Sequence, residues 1–161
     1  MKKGFTLIEL LIVVLVIAIL VAIAVPLYMI TIEKGKATEV VKLSRDIYNA
    51  VERYSFRNNG ASPASFTDLD IELRGVVPDN APLQFTNDYA QFTINADSVE
   101  GQRFPPSDSF GDYFFTVSRA AADEGVMYCS AAQDTDAVKV CAGLSTNDNY
   151  TESGGYRVYR M

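Results

Sequence analysis

The chain begins with a long apolar run that a single carboxylate interrupts. Between Phe5 and Ile32, Glu9 is the only charged side chain. The 23 residues from Leu10 to Ile32 would extend about 34 Å as a helix. That length spans a bilayer core of about 30 Å. The pattern therefore predicts a membrane-crossing helix, with a kink or an opened stretch where Pro26 removes a backbone donor.

The pattern changes to an amphipathic one after Ile32. Apolar positions recur at the three- and four-residue spacing of a helix with one buried stripe, and they include Ala37, Val40, Val41, Ile47, Tyr48, Val51 and Tyr54. Asn58-Asn59-Gly60 follows as a stop signal, because asparagine and glycine tolerate left-handed backbone. We expect one continuous helix over residues 5–57.

The remainder of the chain shows the alternation and turn clusters of β structure. The predicted strands are residues 84–96, 113–119, 126–130 and 155–161. They favour an antiparallel sheet of about four strands whose apolar face covers the helix stripe from Val40 to Val51, since both surfaces must be buried. The predicted fold class is α+β, with the apolar half of the helix protruding from a globular head.

Glu9 is the residue most in need of explanation. A carboxylate in hydrocarbon is costly without a partner, so its presence there indicates a function. If the chain is cut after Gly4, Phe5 acquires a free α-amine, which is cationic below a pKa of about 8. Phe5 and Glu9 are four residues apart and share a helix face. The same ion pair could instead join neighbouring subunits and fix their register.

The block Lys2-Lys3-Gly4-Phe5-Thr6-Leu7-Ile8-Glu9, followed by an apolar helix with Pro26, closely resembles the class III signal of type IV pilins and type II secretion pseudopilins. The resemblance covers roughly the first 30 residues. It implies cleavage between Gly4 and Phe5 by a prepilin peptidase, N-methylation of Phe5, and pairing of Glu9 with the Phe5 amine of an adjacent subunit. It divides the chain into a leader (1–4), a membrane or filament-core half-helix (5–32), an amphipathic half-helix (33–57) and a β head (58–161).

The charge balance changes when the leader is removed. The full chain has 14 Lys and Arg against 20 Asp and Glu, and the cut removes two lysines, leaving 12 against 20, or −8. The basic leader fits a cytoplasmic N-terminus with the head outside. An acidic head argues against a broad nucleic-acid footprint, although local basic positions such as Arg157 and Arg160 remain.

Cysteine and histidine usage bounds the chemistry. The chain has two cysteines, Cys129 and Cys141, and no histidine. In an exported domain the cysteine pair indicates a disulfide, and a disulfide region near the C-terminus resembles that of type IV pilins. The absence of histidine removes the commonest general base and argues against zinc. We expect no catalytic residues, no metal and no cofactor, and the carboxylate pairs Asp68/Asp70 and Asp134/Asp136 are interpreted as solvated surface.

These observations predict a structural subunit of a type IV pilus. Its expected partners are copies of itself, the prepilin peptidase, the pilus assembly machinery and, before assembly, the bacterial inner membrane. The mature location would be an extracellular filament serving motility or adhesion. Two alternatives in the same superfamily are a type II secretion pseudopilin and a minor pilin. A different class, a soluble binding domain released by an ordinary signal peptide cut after Ala24, would begin at Val25.

Overall fold

The computed structural model describes residues 6–103, 110 and 112–161. Its longest element is helix α1, Leu7–Arg57, a helix of 51 residues and about 75 Å. The helix ends at the predicted stop signal, where Asn59 and Gly60 both adopt left-handed backbone with φ of 54° and 85°. The expected helix is therefore confirmed over the described residues.

Helix α1 continues through Pro26 without a break. The opened stretch expected between Ala22 and Pro26 is absent, because a proline removes only its own N–H donor and the neighbouring residues remain helical. Thr31 adds a side-chain bond one turn later, with Oγ1 donating to the Leu27 carbonyl at 2.9 Å. The bend at Pro26 itself stays a prediction.

Seven antiparallel strands form one sheet beside the helix. They are β1 (Gln84–Thr86), β2 (Ala90–Ile94), β3 (Ser98–Arg103), β4 (Tyr113–Ser118), β5 (Met127–Ala132), β6 (Tyr150–Ser153) and β7 (Tyr156–Arg160). The order across the sheet is β1-β2-β3-β4-β5-β7-β6. The pilin-like α+β architecture is thus as expected, and β7 alone departs from chain order by pairing with β5.

The strand count of about four was wrong. The predicted run 84–96 is two strands, because the Asn87 side chain accepts from the N–H groups of Tyr89 and Ala90 and turns the chain. Strand β3 was missed because the residues from Ser98 to Gly101 have the composition of a turn. Strand β6 is short and exposed along its length, so it has no apolar alternation to reveal it.

The amphipathic half of α1 packs against the sheet as predicted. Its buried side chains include Ala37, Val40, Ile47 and Val51, which meet the inward-facing aromatic side chains of the strands. Phe85, Phe92, Tyr113 and Phe115 are the largest of these. One core therefore joins helix and sheet, and the strands that lie under α1 are chiefly β3 and β4.

Gly101 on β3 lets the helix approach the sheet closely. A Cβ at this position would lie 2.3 Å from Ser44 Oγ and 3.0 Å from both Phe92 and Val40 side-chain carbons. Ser44 is fully buried, and its hydroxyl has no hydrogen-bond partner among the described residues. The hydroxyl thus occupies the space that glycine leaves open.

A second helix, α2 (Ala137–Leu144), packs beside α1 and over β5. It begins after Asp136, which forms no side-chain cap bond. The structure joins Cys141 of α2 to Cys129 of β5 as a disulfide, with the two Cα atoms 5.6 Å apart. Both cysteines are fully buried.

We predict that Gly101→Ala lowers the free energy of unfolding by about 1–3 kcal/mol, as overpacking does in well-filled cores. Ser44→Ala alone should be neutral or stabilising, because it removes a buried hydroxyl without a partner. Combined, the two changes should cost less than the sum of the single effects, since they share one contact. Denaturant unfolding of the four proteins measures this coupling, and strict additivity would contradict the packing described.

Replacing both Cys129 and Cys141 by serine should destabilise the head by about 2–5 kcal/mol. This is the usual effect of losing a disulfide from a small exported domain. Thermal unfolding with and without reductant provides the measurement. The reductant should lower the unfolding temperature of the native chain and leave that of the double variant unchanged. Two thiols that alkylate freely in the untreated native protein would refute the crosslink.

Candidate assembly site

The first described residues form a capping box. Thr6 is the N-cap of α1, and its hydroxyl accepts from the Glu9 N–H at 3.3 Å. In return, Glu9 Oε2 accepts from the Thr6 backbone N–H at 2.9 Å and from Thr6 Oγ1 at 2.8 Å. The carboxylate therefore satisfies donors that the start of a helix leaves without partners. Gly4 and Phe5 lie outside the described residues, so the cleavage between them and the pairing of the Phe5 amine with Glu9 stay predictions.

Sequence reasoning missed this local role of Glu9. The signal was present, because Thr6-Leu7-Ile8-Glu9 has the spacing of a capping box. Both hydrogen bonds to the carboxylate go to Oε2, and within the described chain Oε1 accepts none. A carboxylate has about four acceptor positions on its two oxygens. The cap and a further cationic partner are therefore compatible.

The apolar half of α1 is exposed from Thr6 to Met29. Leucine, isoleucine and valine side chains cover it on every side, and most are more than half exposed. By length and composition it can cross a membrane. A surface this large and apolar is not stable in water and marks a site of interaction with lipid or protein.

The apolar half ends at a buried carboxylate. Glu33 is 2 % exposed and lies where α1 first meets the sheet. Its Oε1 accepts from the Tyr113 hydroxyl at 2.8 Å. Arg103 pairs with the same carboxylate through Nε and Nη2, and Lys36 Nζ lies 3.7 Å from Oε2. The charge is thus fully partnered, as burial requires.

Tyr113 has an altered acidity in this cluster. Its pKa is raised, first because burial disfavours the phenolate and second because the hydroxyl donates to Glu33. The tyrosine therefore remains a neutral donor at any physiological pH. Glu33 is the first residue of the predicted amphipathic half-helix (33–57). Its spacing of four from Ala37 and seven from Val40 already placed it on the buried stripe.

A second pair holds the other end of the stripe. Arg119 donates from Nε to Glu52 Oε1 at 2.7 Å and from Nη2 to Ser55 Oγ at 3.1 Å. It also donates from Nη1 to the Ala96 carbonyl at 3.0 Å. Arg103 is the last residue of β3, and Arg119 directly follows β4. Because these neighbouring strands are antiparallel, one arginine lies at each end of the helix contact.

The carboxylate pairs have structural roles. Asp68 accepts from the N–H groups of Ala64 and Ser65, and Asp70 pairs with Arg53 and Arg57. The hydrogen bond from Arg53 lowers the pKa of Asp70. Asp136 pairs with Lys139, and Asp134 has left-handed backbone in a turn. Within residues 6–103, 110 and 112–161, no three His, Cys, Asp or Glu side chains are grouped to hold a metal.

Residues 1–25 match the family described as the prokaryotic N-terminal methylation motif. No curated protein and no solved structure is significantly similar to the chain. The match covers the leader, Glu9 and most of the exposed apolar half-helix, which the structure joins to the α+β head. The chain therefore carries a prepilin-type methylation signal on a pilin-like fold.

Proposed function

We propose that this chain is a structural subunit of a type IV pilus. The observation that carries the proposal is the methylation motif at residues 1–25 at the start of an apolar half-helix that no described part of the subunit covers. A prepilin peptidase would cut between Gly4 and Phe5 and methylate the new Phe5 amine. The subunit itself performs no chemistry, and its function is to polymerise.

Assembly would move the apolar half-helix from the bilayer into the core of a filament. Both environments are apolar, so the transfer changes the hydrophobic free energy little. Specificity must then come from packing and from the one charge in the segment. Glu9 Oε2 is occupied by Thr6. Oε1 accepts no hydrogen bond within the described chain, and we assign it to the Phe5 amine of the neighbouring subunit.

The cysteine pair supports a pilin more than a pseudopilin. The resemblance implies that most major pseudopilins lack a disulfide and depend on calcium. Here Cys129 and Cys141 are bonded within the head. A minor pilin, sparse in purified filaments, shares all of these features, and the stoichiometry of filaments separates it from a major subunit.

Processing is expected at the Gly4–Phe5 bond. Glycine lacks a Cβ, so its backbone can enter a narrow protease cleft. Mass spectrometry of the membrane-extracted protein should find a mature chain that starts at an N-methylated Phe5. A mature chain that starts at Val25 would instead identify a secreted domain and reject the pilus proposal.

Glu9 is expected to act in assembly, while folding and membrane insertion proceed without it. Glu9→Gln retains the shape of the side chain and removes its charge. Glu9→Val also removes the polar cost of insertion. Both variants should keep a folded head and a normal membrane fraction, yet yield fewer sheared filaments because the subunits lose their register.

Thr6→Ala is the matched control for Glu9. It disrupts the capping box at a cost of about 1 kcal/mol but leaves the carboxylate free to pair with a neighbour. Filament yield from Thr6→Ala should therefore exceed that from Glu9→Gln. Normal yield from Glu9→Val at matched protein levels would show that hydrophobic packing alone sets the register.

A further inference from the structure

Outside the apolar half-helix, the most exposed large apolar side chain of the described residues belongs to Phe56. Phe56, on the last turn of α1, is 91 % exposed. Its neighbours along the same side of the helix, Arg45, Asn49 and Arg53, are polar or charged. A scattered exposed leucine needs no explanation. A phenylalanine displayed almost completely is different, because aromatic side chains supply much of the energy of protein interfaces.

A groove lies on the same side of the head. It has a volume of about 330 Å³ and runs between α1 and the segment that contains Ile71, Glu72 and Leu73. Its apolar floor consists of Leu43, Ile71 and Leu73, which are partly buried against the core. Its polar rim consists of Asp46, Asn49, Arg53 and Glu72. An aromatic ring would cover the floor without burying the rim charges.

Phe56 does not fill the groove of its own subunit, because its side chain is almost fully exposed and is not among the residues that line the groove. It lies one helical turn beyond Arg53 on the rim and two turns beyond Asn49, which is about 10 Å along the axis. Phe56 and the groove lie at different places on the surface. A contact between them would therefore join two copies through different surfaces, which is a heterologous contact. Repetition of such a contact gives an open helical polymer when the rotation does not close.

The charges around the two features are complementary. Asp46 and Glu72 on the groove rim form no ion pair in the part of the chain that the structure describes. Arg57 follows Phe56 directly, and its side chain is 64 % exposed although it contacts Asp70 at 3.2 Å. A copy that inserts Phe56 into the groove also brings this guanidinium towards the two carboxylates.

We infer that Phe56 of one subunit docks in the groove formed by Leu43, Ile71 and Leu73 of another copy of this chain. With parallel helices, the copy that supplies Phe56 is displaced about 10 Å towards the membrane, the axial distance from Asn49 to Phe56. This contact rests on the proposed filament and adds a residue of the head to the interactions that set its stagger.

A crosslink between two different chains tests the contact directly. Arg57→Cys and Glu72→Cys chains, which both keep the Phe56 ring, are co-expressed, and intact filaments are treated with a short bis-maleimide. Since each chain carries one new thiol and the native cysteines are bonded to each other, a mixed dimer must arise between subunits. Arg57→Cys paired with Ser153→Cys on the exposed strand β6 is the control. Mixed dimers in the first pair and their absence in the control are expected.

Truncation of the Phe56 side chain gives an independent test of the contact. Phe56→Ala should leave the unfolding temperature of the head unchanged, because the ring buries almost no surface within the subunit. The yield of sheared filaments should fall about tenfold, as for loss of an aromatic anchor from an interface. Phe56→Leu should recover part of the yield, and Arg45→Ala, on the same side of α1, should match the native chain.

The outcomes separate the contact from the function. Native filaments with undiminished yield from Phe56→Ala, or with equal crosslinking in both cysteine pairs, would overturn the docking of Phe56 and leave the pilus proposal intact. A native chain that is processed normally and forms no filaments would overturn both. Reduced yield together with specific mixed dimers supports the contact.

Discussion

The exposed half of α1 imposes the main constraint on this molecule. A helix that is apolar on every side has no stable place in water, and the head offers it no cover. It must therefore remain in lipid or lie among other helices of the same kind. These two environments differ little in hydrophobic free energy. Hydrophobic burial alone therefore does not distinguish them, and Glu9 is the only charged side chain between Phe5 and Ile32.

The head must also hold α1 firmly where the helix enters the core, because a force on the apolar half is transmitted there. The most buried ion pair of the described residues lies at this point. Glu33 pairs with Arg103 and accepts from Tyr113, while Arg119 holds the helix at the opposite end of the stripe. Between these two points the helix lies close to the sheet because β3 carries Gly101. The two ion pairs and the close approach at Gly101 together fix the angle between α1 and the sheet.

Sequence patterns predicted the elements whose periodicity is long or strongly apolar. The limits of α1 followed from the apolar run and from Asn59-Gly60, and β4 followed from Tyr113 to Val117. Short and polar strands were missed. Strand β6 has four exposed residues, so only its pairing with β7 defines it. The functions of Glu33 and Arg103 were missed because they depend on a contact 70 residues apart in the chain.

The candidate assembly site was only partly accessible to sequence reasoning. The motif around Glu9 is a local pattern and was recognised together with the apolar helix that follows it. The groove beside Asn49 lies between α1 and a segment without regular secondary structure, so no periodic pattern in the sequence predicts it. The sequence places Phe56 off the buried stripe of α1, but only the folded structure shows that its side chain is almost completely exposed.

The position of β7 determines when the head becomes complete. Every other strand pairs with a neighbour in chain order, while β7 inserts between β5 and β6. Until it does so, β5 has an open edge, and open edges invite pairing with other chains. The bond from Cys129 to Cys141 can already hold α2 against β5 at that stage. The crosslink therefore ties α2 to β5 independently of the hairpin that β6 and β7 form.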